Sequence, residues 1–149
     1  MSGASCLDLF AGSGALGLEA LSRGASQVFF VERDGAAARE LSARLTEWGA
    51  KGGHVEHRDA VQFLRGSPQT FDVVFLDPPF GADLLQSTAE TLENGHWLAP
   101  DALIYVECAA REEMPPMPAS WTVVKAKQAG EVGYHLLARG AVERGAAAE

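Results

Sequence analysis

No apolar run in the chain approaches the ~20 residues of a membrane span. No charged-then-apolar leader precedes its first β-rich segment. A membrane partner is therefore not expected. Cysteine is scarce: Cys6 and Cys108 lie far apart, each inside an apolar run. That usage excludes a disulfide scaffold and reads as two buried thiols in a cytoplasmic protein. His54 and His57 have no Cys or carboxylate cluster to complete a metal site, so no metal is expected. A Pro-Cys pair able to attack cytosine C5 is missing too. Positive charge is short as well: 12 Lys and Arg against 20 Asp and Glu leave a net charge of −8. That balance is awkward for a protein whose partner is a polyanion.

With 47% hydrophobic composition, the 149 residues suffice for one domain with a real core. The reading places that domain at residues 1–139 and a small, polar, frayed tail at 140–149. Apolar β-rich runs alternate with helical patterns, which predicts an α/β fold: a mostly parallel sheet with helices on both faces. Strands are expected over 5–10, 27–32, 53–57, 71–76 and 102–107. Helices are expected over 14–23, from Asp34 to Gly49, over 60–65 and over 83–94. Ala37, Ala38, Leu41, Leu45 and Trp48 follow helical spacing in the second of these. After Met114-Pro115-Pro116-Met117-Pro118, two runs around Ala129-Gly130-Glu131 predict an antiparallel hairpin that finishes the sheet.

Two corners carry the chemistry. The first is Asp8-Leu9-Phe10-Ala11-Gly12-Ser13-Gly14-Ala15-Leu16-Gly17, where a strand turns into a helix. Glycine suits a backbone that turns sharply and admits a ligand without a Cβ. Glu32, ending the second strand, can accept both hydroxyls of a ribose. The glycine pattern also matches dinucleotide sites, so NAD or FAD remains an alternative. Asp8 favours S-adenosylmethionine, because a carboxylate there attracts a cationic amino-acid moiety and repels a pyrophosphate. Asp59 and Ala60 follow the third strand. They can read an adenine through the Asp59 carboxylate and the Ala60 N–H, or Asp59 can cap the next helix.

The second corner is Asp77-Pro78-Pro79-Phe80, at the end of the apolar run Phe71 to Leu76. The lone pair of an aromatic amine is delocalised into its ring. Methylating it requires acceptors that hold both N–H groups and aim the lone pair at the methyl carbon. Asp77 and the Pro78 carbonyl supply two acceptors, and the prolines stiffen the corner. Phe80 offers a face on which a flipped base can stack.

With both corners in place, the chain resembles the bacterial 16S ribosomal RNA guanine-N2 methyltransferases. Cys6 to Gly17, Glu19 to Ala25, Phe75 to Phe80 and Gly133-Tyr134-His135-Leu136-Leu137 carry the resemblance. It implies a Rossmann-like, seven-stranded methyltransferase sheet, S-adenosylmethionine as donor, and a guanine N2 of small-subunit rRNA as acceptor. The implied partner is ribosomal RNA or the assembling small subunit, met by a monomer. By matching, the donor site falls on Asp8, Gly12, Gly14, Glu32, Asp59 and Ala60, and the catalytic corner on Asp77, Pro78, Pro79 and Phe80. DNA adenine N6, a protein glutamine, or nucleotide binding without methyl transfer are the alternative readings. Asp77 counts against glutamine, whose enzymes carry Asn at that position.

Members of that family look as if they carry a further Arg-rich segment before strand one, which helps close the donor site and contact RNA. Without it, this acidic chain is expected to hold RNA weakly. Arg58, Lys125, Lys127 and Arg139 are the cations expected near the rim.

Overall fold

A computed structural model of the protein describes residues 2–78 and 82–140. Pro79 and Phe80 of the second corner, and the expected tail beyond Gly140, lie outside the described residues. The chain order is β1 (Ser5–Asp8), α1 (Ala15–Ser22), β2 (Gln27–Glu32), α2 (Gly35–Glu47), β3 (Gly53–His57), α3 (Ala60–Phe63), β4 (Phe71–Leu76), α4 (Ala82–Asn94), β5 (Leu98–Ala109), β6 (Trp121–Ala129) and β7 (Val132–Arg139).

The strands form one seven-stranded sheet in the order β3-β2-β1-β4-β5-β7-β6. The pairings from β3 through β5 are parallel, and β7 runs antiparallel to both of its neighbours. The expected α/β sheet with a C-terminal antiparallel hairpin is therefore what forms.

Side chains alternate across the strands and feed two cores, one per face. Cys6, Val28, Phe30, Val73 and Phe75 pack with Ala20 of α1 and with Leu41 and Leu45 of α2. Leu7, Val31, Val74, Leu76 and Ile104 pack with Phe63 of α3 and with Leu85, Ala89 and Leu92 of α4. Burying a side chain such as Phe30 completely stabilises the fold by ~1.5–3 kcal/mol. β4 is buried at five of its six positions, as a central strand covered on both faces must be.

Local signals explain the helix starts. Asp34 caps α2 by accepting from the Ala37 N–H at 2.9 Å, and Ala38, Leu41 and Leu45 form its buried stripe. Trp48 departs from the expected pattern: at the C-cap of α2 it stands 62% exposed.

β5 is also longer than expected at both ends, and Pro100 hid its start. Pairing with β4 starts at Phe71–Leu98, shifts register, and resumes at Val73–Leu103. A proline without an N–H sits inside that irregularity and masks the strand's first residues in the sequence. β1 in turn ends at Asp8, so Leu9 and Phe10 belong to the turn.

Candidate active site

The carboxyl ends of β1, β2, β3 and β4 surround an open cavity of about 600 Å³. Leu9, Phe10 and Gly12 line it from the first corner. Val31, Glu32, Arg33 and Asp34 line it from the end of β2, and Arg58 to Val61 from the end of β3. Asp77 and Leu84 close the β4 side.

The turn after β1 is anchored on both sides. The Leu9 N–H donates to the Phe75 carbonyl at 3.3 Å, and the Ala11 N–H to the Val31 carbonyl at 3.0 Å. Gly12 takes φ 56° and Gly14 φ 81°, both in the left-handed region that favours glycine. A Cβ at Gly12 would meet nothing within 4 Å, so that side of the turn stays open to a ligand. A Cβ at Gly17 would lie 2.3 Å from the Phe30 ring; the third glycine lets α1 approach the sheet.

Glu32 is held from both oxygens. One accepts from the Gly12 N–H at 2.8 Å and the other from the Asp34 N–H at 2.7 Å. A carboxylate offers about four lone-pair sites, so the fixed group keeps acceptor capacity for hydroxyl donors. The set suits a ribose at Glu32 and a cationic group nearby. A pyrophosphate here would face several acidic groups, which counts against the NAD and FAD alternative.

The other expected donor residues divide. Asp59 and Ala60 line the cavity, and Asp59 is at the same time the α3 cap, accepting from the Gln62 N–H at 2.8 Å. Asp8 and Gly14 do not line it. Asp8 is buried beneath the turn and accepts from the Gly17 N–H at 3.1 Å. Burial pushes its carboxyl up to about 7 against the pull of that N–H, and the nearby Asp77, Glu32 and Glu107 carboxyls push the same way. Gly14 caps α1 and packs its backbone against Leu41.

Asp77 stands on the rim and reaches solvent, with Pro78 half-buried beside it. Partial desolvation and then the charge of the neighbouring Glu107 carboxyl hold the Asp77 carboxyl above the usual carboxylate range. Glu107 was not singled out in the sequence. Its signal is the strand alternation Tyr105–Glu107, which places both on one face of β5.

Two of the expected rim cations prove to have other work. Arg58 lines the cavity, whereas Arg139 donates from Nε and Nη2 to the two oxygens of Glu93, each at 2.8 Å. That pair sits beside Trp121 and Ala99, at the end of the strands opposite the cavity. Lys125 and Lys127 stay exposed on β6, with the Lys127 ammonium 5.8 Å from the centre of the Tyr134 ring. Among the described residues no His, Cys, Asp and Glu group is arranged to hold a metal, and no helix is long and apolar enough to cross a membrane.

Residues 1–138 match the family described as conserved hypothetical protein 95. The chain belongs to that family. It is similar to ribosomal RNA small subunit methyltransferase D of Escherichia coli, with 44% identity over 136 residues, 91% of this chain and 69% of the relative. The protein of the same name from Haemophilus influenzae is 44% identical over 138 residues, 88% of this chain and 69% of the relative. Among solved structures, the Escherichia coli protein yhhF superposes with a TM-score of 0.89 at 43% identity, covering 93% of this chain and 78% of the other. A conserved hypothetical protein from Streptococcus pyogenes gives 0.87 at 28% identity, covering 93% and 88%.

Proposed function

We propose that the protein transfers a methyl group from S-adenosylmethionine to the exocyclic N2 amine of a guanine in small-subunit ribosomal RNA. The observation that carries the reading is Asp77, an acceptor on the rim of a cavity whose β2 wall fixes the Glu32 carboxylate. Relatives named for methylation of small-subunit rRNA give the substrate class. Bound in the cavity, the donor supplies an electrophilic methyl on a sulfonium and leaves as S-adenosylhomocysteine.

Glu32 accepts from the ribose hydroxyls, and Asp59 with Ala60 borders the adenine. Asp8, buried beneath the turn, acts on the donor through the turn, which it braces by accepting from the Gly17 N–H, and Gly12 leaves the turn open to the donor. At the second corner Asp77 accepts one amine N–H and the Pro78 carbonyl a second. The nitrogen lone pair is then aimed at the methyl carbon, and the carbon–sulfur bond breaks as the carbon–nitrogen bond forms. Asp77 stabilises the cationic amine and receives its proton. By its place in the sequence after Asp77 and Pro78, Phe80 is the residue expected to offer a face to the flipped base. Positioning and charge stabilisation supply the rate, with no covalent enzyme intermediate.

The test is methyl transfer from labelled donor to small ribosomal subunits and to their free RNA, taken from cells lacking this modification. Label recovered as N2-methylguanosine is the expected result. Label in N6-methyladenosine, or in protein, would overturn the assignment.

A further inference from the structure

The neighbour of Asp77 on the next strand is Glu107. β4 and β5 pair in register at Phe75–Tyr105 and Leu76–Val106, so Asp77 and Glu107 follow on the next rung. Both side chains then stand on one face of the sheet, next to each other. Glu107 is held in place from behind. The Tyr105 hydroxyl donates to its Oε1 at 3.0 Å, and the Tyr105 ring lies 6.1 Å from both Phe75 and Tyr134. A second acidic acceptor is thus fixed beside the one assigned to the amine, and the methyl-transfer steps above leave it without a task.

Three nucleobases carry an exocyclic amine: adenine, cytosine and guanine. In adenine and cytosine, the ring nitrogen next to the amine on the pairing edge is an acceptor. In guanine it is a donor, N1–H. Two neighbouring carboxylates match two neighbouring N–H donors. The same oxygens would face a lone pair on adenine or cytosine. Unpaired polar groups of this kind discriminate more strongly than shape does.

We propose that Glu107 is a specificity-determining residue that accepts from the N1–H of the target guanine while Asp77 accepts from its N2 amine. The inference rests on the guanine-N2 reading given above and adds the feature that selects guanine. On binding, each N–H donates to one of the two carboxylates, and the two donors offset the repulsion between them. Tyr105 acts through Glu107 as a positioning residue, keeping its second oxygen aimed at the base edge.

The experiment compares kcat/KM on small-subunit RNA carrying either guanine or 2-aminopurine at the target nucleotide. 2-Aminopurine keeps the amine but has an acceptor at N1. The parent chain should prefer guanine. Glu107→Gln retains the acceptor for Tyr105 and presents an amide N–H to the base, so its guanine preference should fall by about tenfold or more. Donor affinity should not change. Tyr105→Phe frees the carboxylate without removing it, and should raise KM for the guanine RNA about threefold or more with kcat near the parental value.

If the parent transfers to neither RNA, the guanine-N2 reading fails and this inference falls with it. If the parent methylates the guanine RNA but Glu107→Gln keeps the parental preference, the inference alone fails. Should Glu107→Gln be inactive on both RNAs or fail to fold, Tyr105→Phe decides: a parental KM overturns the role of Glu107, and a raised one upholds it.

Discussion

The β3-β2-β1 half of the sheet and the β5-β7-β6 half solve different problems by different means. In the first, short turns do the positioning. Glu32 is fixed by N–H groups two and twenty residues away, and Gly12 and Gly14 set the shape of one loop. In the second, strand register does it: Glu107 meets Asp77 because β5 lies beside β4, and Tyr105 meets Tyr134 because β7 lies beside β5. A donor common to many reactions suits a site written into one turn. An acceptor that must be recognised as one base among several calls for groups brought together from separate strands.

Four substitutions test the contrast. The largest effect is expected at the junction of the halves. Asp77→Ala should lower turnover about 100-fold or more while donor affinity stays within a few-fold, measured by single-turnover transfer and by calorimetry. Parental turnover in that variant would move the chemistry away from the corner. In the donor half, Glu32→Ala should weaken S-adenosylmethionine binding by ~10–150-fold, the loss of a charge-assisted acceptor worth ~1.5–3 kcal/mol. Calorimetry reporting an unchanged Kd would remove the ribose from Glu32.

The scaffolds give smaller effects. Gly17→Ala forces a methyl group against the fully buried Phe30 and should destabilise by ~1–3 kcal/mol, read as a lower thermal midpoint. An unaltered midpoint would mean that α1 can retreat freely from the sheet. Glu93→Gln tests the other half. The hydrogen bonds from Arg139, and then from Trp121, hold the Glu93 carboxyl below the usual range against its own burial. Its contribution is therefore full above the unfolded-state pKa and is lost as pH falls through the lower folded-state value. The parent should lose about 1 kcal/mol more than Glu93→Gln between neutral pH and that acid window. Parallel melting curves across pH would exclude the contribution.

Legibility in the amino-acid sequence follows the same division. Asp34, the apolar run from Phe71 to Leu76, and the glycine turn are local signals, and each produced the expected element. Glu32 and Asp77 were legible because each ends an apolar run at the point where a parallel sheet opens to ligands. Glu107 was hidden inside a strand, and its importance depends on a partner thirty residues away in sequence. Pro100 concealed the start of β5, since a breaker inside a strand reads as its boundary. Arg139 looked like any other surface cation, because only the fold brings Glu93 to it. Trp48 fitted the helical period and still faces solvent at the C-cap of α2.

The irregularity in β6 bears on association between molecules. β6 is an outermost strand, and Val123 and Val124 expose apolar surface on it. Pairing with β7 slips between Val123 and Lys125, leaving Val124 as the extra residue, and Lys125 and Lys127 follow. A bulged, lysine-bearing edge makes a poor template for a strand from another copy. The hairpin can thus leave backbone donors open along its border without inviting open-ended stacking, and that protection depends on one additional valine and two ammonium groups.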